Sequence, residues 1–100
     1  MSDEYEDDDQ QADDDAGNRV PGGTASAVLD YVARAIVDDP DSVVVETQEG
    51  RHGVTLRLHV APDDMGKVIG RRGRVAHAIR SVVRAAGARD RTEVQVDIVD

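Results

Sequence analysis

The residues Gly70-Arg71-Arg72-Gly73 interrupt a stretch that otherwise keeps helical spacing. Before them, Met65, Val68 and Ile69 fit a short helix whose first turn suits Pro62 and Asp63. After them, Val75, Ile79, Val82 and Ala86 recur at helical intervals, His77, Arg80 and Arg84 occupy a polar stripe, and Gly87 is placed to cap the C-terminus. Asp63 and Asp64 read as first-turn acids that complement the helix dipole. The chain is thereby committed to a helix, a glycine-bracketed turn carrying two cations, and a second helix.

Elements on both sides limit what this unit packs against. Thr24 or Ser26 can cap an earlier helix running to about Val37, with Leu29, Val32, Ala33, Ile36 and Val37 on one face and an Asp30, Arg34 pair on another. Asp39-Pro40 ends it, because the proline ring disfavours helix at the preceding residue. A β-branched run over residues 43–48 and a strictly alternating run over 54–60, with Val54, Leu56, Leu58 and Val60 inward, flank a turn at residues 50–53 and predict a hairpin. A last strand over residues 93–99 turns Val94, Val96 and Ile98 to one side. One-sided strands and one-sided helices bury most surface as three helices on one face of a three-stranded mixed sheet, an α+β sandwich. The first two strands should pair antiparallel, and the helical crossover is long enough for the third to pair parallel.

Charge is divided unevenly along the chain. The formal net charge is −9, yet residues 1–24 hold nine acids and one Arg, whereas residues 66–89 hold seven bases and no acid. The first segment, two Asp triplets followed by Pro-Gly-Gly, has too little apolar surface to offset its ordering entropy. We expect a disordered acidic tail over 1–23 and a folded domain over 24–100. Two uses are open to the tail: a solubilising appendage, or a mobile polyanion competing for the basic patch. The patch itself attracts polyanions whatever a distant segment carries. With no stretch approaching the roughly 20 apolar residues of a membrane span and an acidic rather than basic N-terminus, the expectation is a cytoplasmic protein with no membrane contact.

The glycine turn points to phosphate. A helix N-terminus offers unpaired N–H groups and a positive dipole end, glycine lets an anion approach the main chain, and Arg71 and Arg72 add charge. A mononucleotide loop would need GxxxxGK followed by Ser or Thr, which is absent. A dinucleotide fingerprint would need Gly where Val68 stands. Calcium is excluded because an EF-hand begun at Asp13 would have Asn18 and Thr24 at its required Gly and Glu positions. There is no Cys, the three His lack metal-site spacing, and Ser81 with His77 has no third group to orient a base. No enzyme, metal or cofactor is expected.

A helix, GxxG, helix arrangement beside a sheet is that of KH domains, which grip the backbone of about four single-stranded nucleotides. The run Gly66-Lys67-Val68-Ile69-Gly70-Arg71-Arg72-Gly73-Arg74-Val75 resembles the KH signature VIGxxG with an aliphatic residue two places on, and the order of elements resembles the type II, bacterial fold. Over about residues 24–99 the chain is similar to the KhpA family of small stand-alone bacterial KH proteins. The resemblance implies non-catalytic binding of single-stranded RNA, as an RNA chaperone or post-transcriptional regulator. The RNA would lie in a groove between the GRRG helix pair and the sheet edge, with Lys67 to Val75 as its contacts and Val68, Ile69 and Val75 as its aliphatic side. Arg51 and His52, in the hairpin turn, would be rim contacts. It further implies homodimers and pairing with a larger KH-containing protein, KhpB. Stacking on aromatics is not expected, because the one Tyr beyond the acidic segment is Tyr31 on the first helix. The alternative from another class is a protein-interaction module whose basic patch docks an acidic partner.

Overall fold

A computed structural model describes residues 22–100. Residues 1–21, which hold nearly all of the expected acidic tail, lie outside the described residues. Helix α1 spans Gly23–Ile36, so Gly22 and Gly23 belong to the folded part. Neither Thr24 nor Ser26 caps it; both lie inside the helix, and Gly22 stands at the cap position with φ 74°. A Cβ on Gly22 would come within 2.9 Å of Val54 Cγ2, so a glycine is what lets the chain enter α1 this close to the sheet. Ala25, Leu29 and Ala33 are its buried stripe. At its other end Arg34 pairs with Asp30 at 3.0 Å and also donates to the carbonyl of Pro40 at 2.9 Å. The pair expected on the helix surface thus also fastens the following turn, Pro40–Ser42.

Strands β1 (Val44–Glu49), β2 (Val54–His59) and β3 (Val94–Ile98) form one sheet in the order β1-β2-β3, with β1 antiparallel and β3 parallel to β2, as the connections require. The central strand buries Val54, Leu56 and Leu58 against the helices, and its alternation survives intact from sequence to structure. The opposite sheet face is polar. There His59 Nε2 meets Glu46 Oε1 at 2.8 Å and Arg57 Nε lies 3.6 Å from Asp97 Oδ2. The hydrogen bond and charge of His59 hold the Glu46 carboxyl below its ordinary value, with Arg57 adding to the effect.

Helix α2 (Met65–Ile69), the turn Arg71–Gly73 and helix α3 (Arg74–Arg89) make the crossover from β2 to β3. Two expectations about α3 are corrected. Its buried stripe runs Ala76, Ile79, Val83 and Gly87, and Val82 is half exposed. Starting the stripe from Val75 selects the neighbouring residue, because Val75 sits at the margin of the core rather than at its centre. Gly87 is not a cap but lies within the helix, where a Cβ would stand 2.8 Å from the carbonyl oxygen of Thr92. A missing side chain lets α3 and the start of β3 touch.

Asp64 does stand in a first turn beside Asp63 and has a second role: its carboxylate is 2% exposed and accepts the main-chain N–H groups of Asp38 at 3.2 Å and Asp39 at 3.0 Å. The segment after α1 has no further helical carbonyls for these donors, and Asp64 supplies acceptors from the opposite side of the fold. Among the described residues no helix is long and apolar enough to cross a membrane. Asp64→Ala should lower unfolding stability by about 2–3 kcal/mol, since it leaves two inward N–H groups without an acceptor; urea denaturation measures this, with Asp63→Ala close to neutral as the exposed comparison.

Candidate functional site

The glycine turn is held by short-range bonds and by a close approach. Gly70 N–H donates to the Gly66 carbonyl at 2.8 Å, ending α2, and Gly73 N–H donates to the Gly70 carbonyl at 3.2 Å, closing the turn. Gly70 takes φ 75°, ψ 173°, a region left to glycine, and a Cβ there would lie 2.9 Å from Val75 N and run into the Val75 side chain. Between the glycines, Arg72 itself takes a left-handed conformation, φ 58° and ψ 25°, at a cost of roughly 1 kcal/mol. Gly73 follows at φ 73°, ψ 15°, and Arg74 then enters the right-handed helix. A left-handed residue followed by a right-handed one bends the main chain into a shallow concavity, although here the Gly73 and Arg74 N–H groups already donate to the Gly70 and Arg71 carbonyls.

Electrostatics reinforce the geometry. The first turn of α3 has no acidic residue and no side-chain cap, so its positive dipole end meets only the cations of the turn. Arg71, Arg72 and Arg74 are exposed, and among the described residues no carboxylate lies in ion-pair range of any of them. Three guanidinium groups around an uncapped helix start repel one another and the dipole. An anion seated there relieves both.

The other expected residues divide by burial and position. Lys67 is exposed, with Nζ 3.3 Å from Asp38 Oδ2, so its charge is already paired within the fold. Ile69 and Val75 are half buried and leave an aliphatic margin beside the turn. Val68 is completely buried and joins the core; it cannot supply a groove surface, because α2 is too short to bury anything else so deeply. Arg51 is exposed, but the structure does not bring it to the turn. Val54 N–H donates to the Glu93 carbonyl at 2.9 Å, which seats the hairpin beside the start of β3, near the C-terminal end of α3. The glycine turn is at the other end of that 16-residue helix, about 22 Å away at 1.5 Å per residue.

Between these ends lies a part of the surface that the expected site omits. Arg80 Nε donates to the Val96 carbonyl at 3.3 Å, showing that one flank of α3 faces the free edge of β3. His77 and Arg84 share that flank by helical spacing, and Arg84 lines a cleft of about 350 Å³ with Thr92, Glu93, Val94 and Gln95. The stripe of His77, Arg80 and Arg84 is visible in the sequence; which neighbour it faces is decided by the sheet order. Among the described residues no three His, Cys, Asp or Glu side chains gather as metal ligands would.

Comparison with known proteins places this geometry. The family model described as "KhpA/KhpB, KH domain" matches residues 26–98. The chain is 47% identical over 73 residues to RNA-binding protein KhpA of Halalkalibacterium halodurans, covering 73% of this chain and 96% of that one. It is 50% identical over 72 residues to RNA-binding protein KhpA of Streptomyces coelicolor, covering 72% and 87%. A crystal structure of an Aquifex aeolicus Era variant bound to GDP and aluminium fluoride superposes with TM-score 0.53 at 16% identity, over 74% of this chain and 29% of that one, a likeness of fold alone.

The two glycines of the turn should respond differently to substitution. Gly70→Ala forces Val75 and the start of α3 to move and should cost roughly 2–4 kcal/mol. Gly73→Ala, with open space around its Cα, should cost only about 1 kcal/mol from its positive φ; chemical denaturation of both variants checks the difference.

Proposed function

The chain belongs to the KhpA/KhpB family of KH domains, with the type II arrangement of three helices on a three-stranded mixed sheet, and from this premise we propose that it binds single-stranded RNA without catalysing a reaction on it. The observation that carries the reading is the start of α3: without a side-chain cap, free of acids, opened by the exposed Arg74 and preceded by a turn that presents the exposed Arg71 and Arg72. In this reading the phosphates come up against the turn at the main-chain N–H groups that it does not itself use, because the two glycines leave no side chain there to hold the ligand off. The three arginines supply the salt-sensitive part of the affinity. Lys67 exchanges its Asp38 partner for a phosphate at the rim. Ile69 and Val75 bear on sugars and base faces, where an aliphatic margin serves in place of aromatic stacking. Arg51 touches only a strand long enough to follow α3 to its far end.

The relatives named RNA-binding protein KhpA support this assignment. The family's joint name supports a second proposal, that the chain acts with another KH chain, as a homodimer or with a larger KhpB-like protein, in RNA chaperoning or post-transcriptional control.

Replacing Arg71 and Arg72 together by Asp should abolish crosslinking to RNA while leaving the circular dichroism spectrum and partner assembly unchanged. Loss of partner assembly with RNA binding intact would instead make the patch a dock for an acidic protein. For the unsubstituted chain, contact with three phosphates gives a fall in log K with log salt of slope about −2, measurable by fluorescence anisotropy.

A further inference from the structure

The charges of the described fold are sorted by face. Residues 25–100 hold twelve acids and eleven bases, yet the seven bases of 66–89 have no acid among them, and α3 carries Arg74, Arg80, Arg84 and Arg89 without a carboxylate. The acids collect elsewhere. Glu46 and Asp97 stand on either side of Arg57 on the outer sheet face, and Asp38, Asp39 and Asp63 lie where the Asp64 carboxylate ties the turn after α1 to the start of α2. A polyanion attached to this domain is therefore drawn to one side of it. One is attached: residues 1–21, outside both the described residues and the family match at 26–98, hold nine acids, including the runs Asp7-Asp8-Asp9 and Asp13-Asp14-Asp15, and one Arg.

The join lies at one end of the basic face. Gly22 abuts Val54, Val54 is the register partner of Val94, and Val94 meets Gly87 near the end of α3. Because α1 packs beside α3, the glycine turn stands about 22 Å along and about 10 Å across from the join, roughly 25 Å in all. Asp15 is seven positions before Gly22, and an extended chain covers about 3.4 Å per residue. The nearer run thus reaches Arg84 and Arg80 with slack and the turn only when almost taut. The farther run, with roughly 45–50 Å of chain behind it, reaches Arg71, Arg72 and Arg74 at little more than half extension.

We propose, resting on the RNA-binding reading above, that the acidic segment occupies the arginine face of its own molecule and that RNA binds by displacing it. The run at 13–15 stands against Arg84 and Arg80, and the run at 7–9 against the arginines of the glycine turn. A carboxylate offers a guanidinium the same two-oxygen acceptor that a phosphate does, and among the described residues no carboxylate takes that place on Arg71, Arg72, Arg74 or Arg84. Tethering holds the segment at an effective concentration in the millimolar range, so contacts too weak to hold a free peptide compete with a free strand. Of the two uses open to an acidic segment, solubility alone would not require the join to lie within reach of the arginines.

Two measurements on the full-length chain test this. The first compares it with a variant carrying Asp7→Asn, Asp8→Asn, Asp9→Asn, Asp13→Asn, Asp14→Asn and Asp15→Asn, by fluorescence anisotropy with a uridine dodecamer. The variant should bind at least about fivefold tighter at about 50 mM salt and within about twofold at about 300 mM, where screening loosens the segment. The second uses the absence of Cys: Ala12→Cys gives a single nitroxide attachment point between the two runs. Amide NMR signals of residues 71–74 should broaden more than those of residues 44–46, which lie at the end of the sheet also remote from the join, and excess dodecamer should abolish the difference. Equal affinities of the two chains, or broadening as strong at 44–46 as at the turn, would overturn the proposal and leave RNA binding in place. Tighter binding by the variant without selective broadening would overturn it too, as the action of net charge at a distance. If neither chain binds the dodecamer, the RNA-binding reading itself falls, and the competition with it, whatever the nitroxide reports.

Discussion

The Val75 side chain fills the space that any side chain on residue 70 would need. This contact lets α2 end and α3 begin with four residues between them, and it leaves the arginines of that turn exposed. Once α3 is aimed in this way, Ala76, Ile79 and Val83 reach the core, Gly87 closes on the start of β3, and the chain returns alongside β2 in parallel register. Packing of one valine against one glycine therefore sets both the crossover and the exposed turn proposed as the binding surface.

What could be read in advance follows from which effects are local. The alternation of Val54, Leu56 and Leu58 identifies a one-sided strand because the pleat alone imposes it, and Asp39-Pro40 ends α1 through a clash with its immediate neighbour. The reach of the two-helix crossover was enough to anticipate the parallel strand. The misreadings concern contacts across the fold. Gly87 has the composition of a cap, but its role is fixed by Thr92 and Val94 where the chain enters β3. Asp64 is the first-turn acid its position suggests, but that it also receives the N–H groups of Asp38 and Asp39 is not local information. The choice between Val82 and Val83 depends on where α1 and the sheet lie around α3, which helical periodicity leaves free by one residue.

The binding surface divides along the same line. The half proposed to take phosphate is contiguous in sequence, so Gly70, Arg71, Arg72, Gly73 and Arg74 are legible from residue type and order. Its other half pairs an α3 flank with the edge of β3, some sixteen residues on by the Arg80 to Val96 bond, and only the sheet order brings the two together. Val68 and Arg51 mark the limits of reading by motif. The first carries the signature but is consumed by the core, and the second has suitable chemistry but stands at the wrong end of a helix.

The basic surface is made of guanidinium groups with one exception, Lys67, whose ammonium rests on Asp38. A guanidinium is not the target of the acylation that neutralises a lysine ammonium, so the arginines keep their charge where a lysine would lose it. Acylation of lysine is likewise confined to one side chain in this region. Modification there would release Asp38 as an unpaired carboxylate next to the glycine turn, replacing a neutral pair by a negative charge. A single acyl group would therefore weigh on the local potential as one net unit, while the arginine field around it persisted.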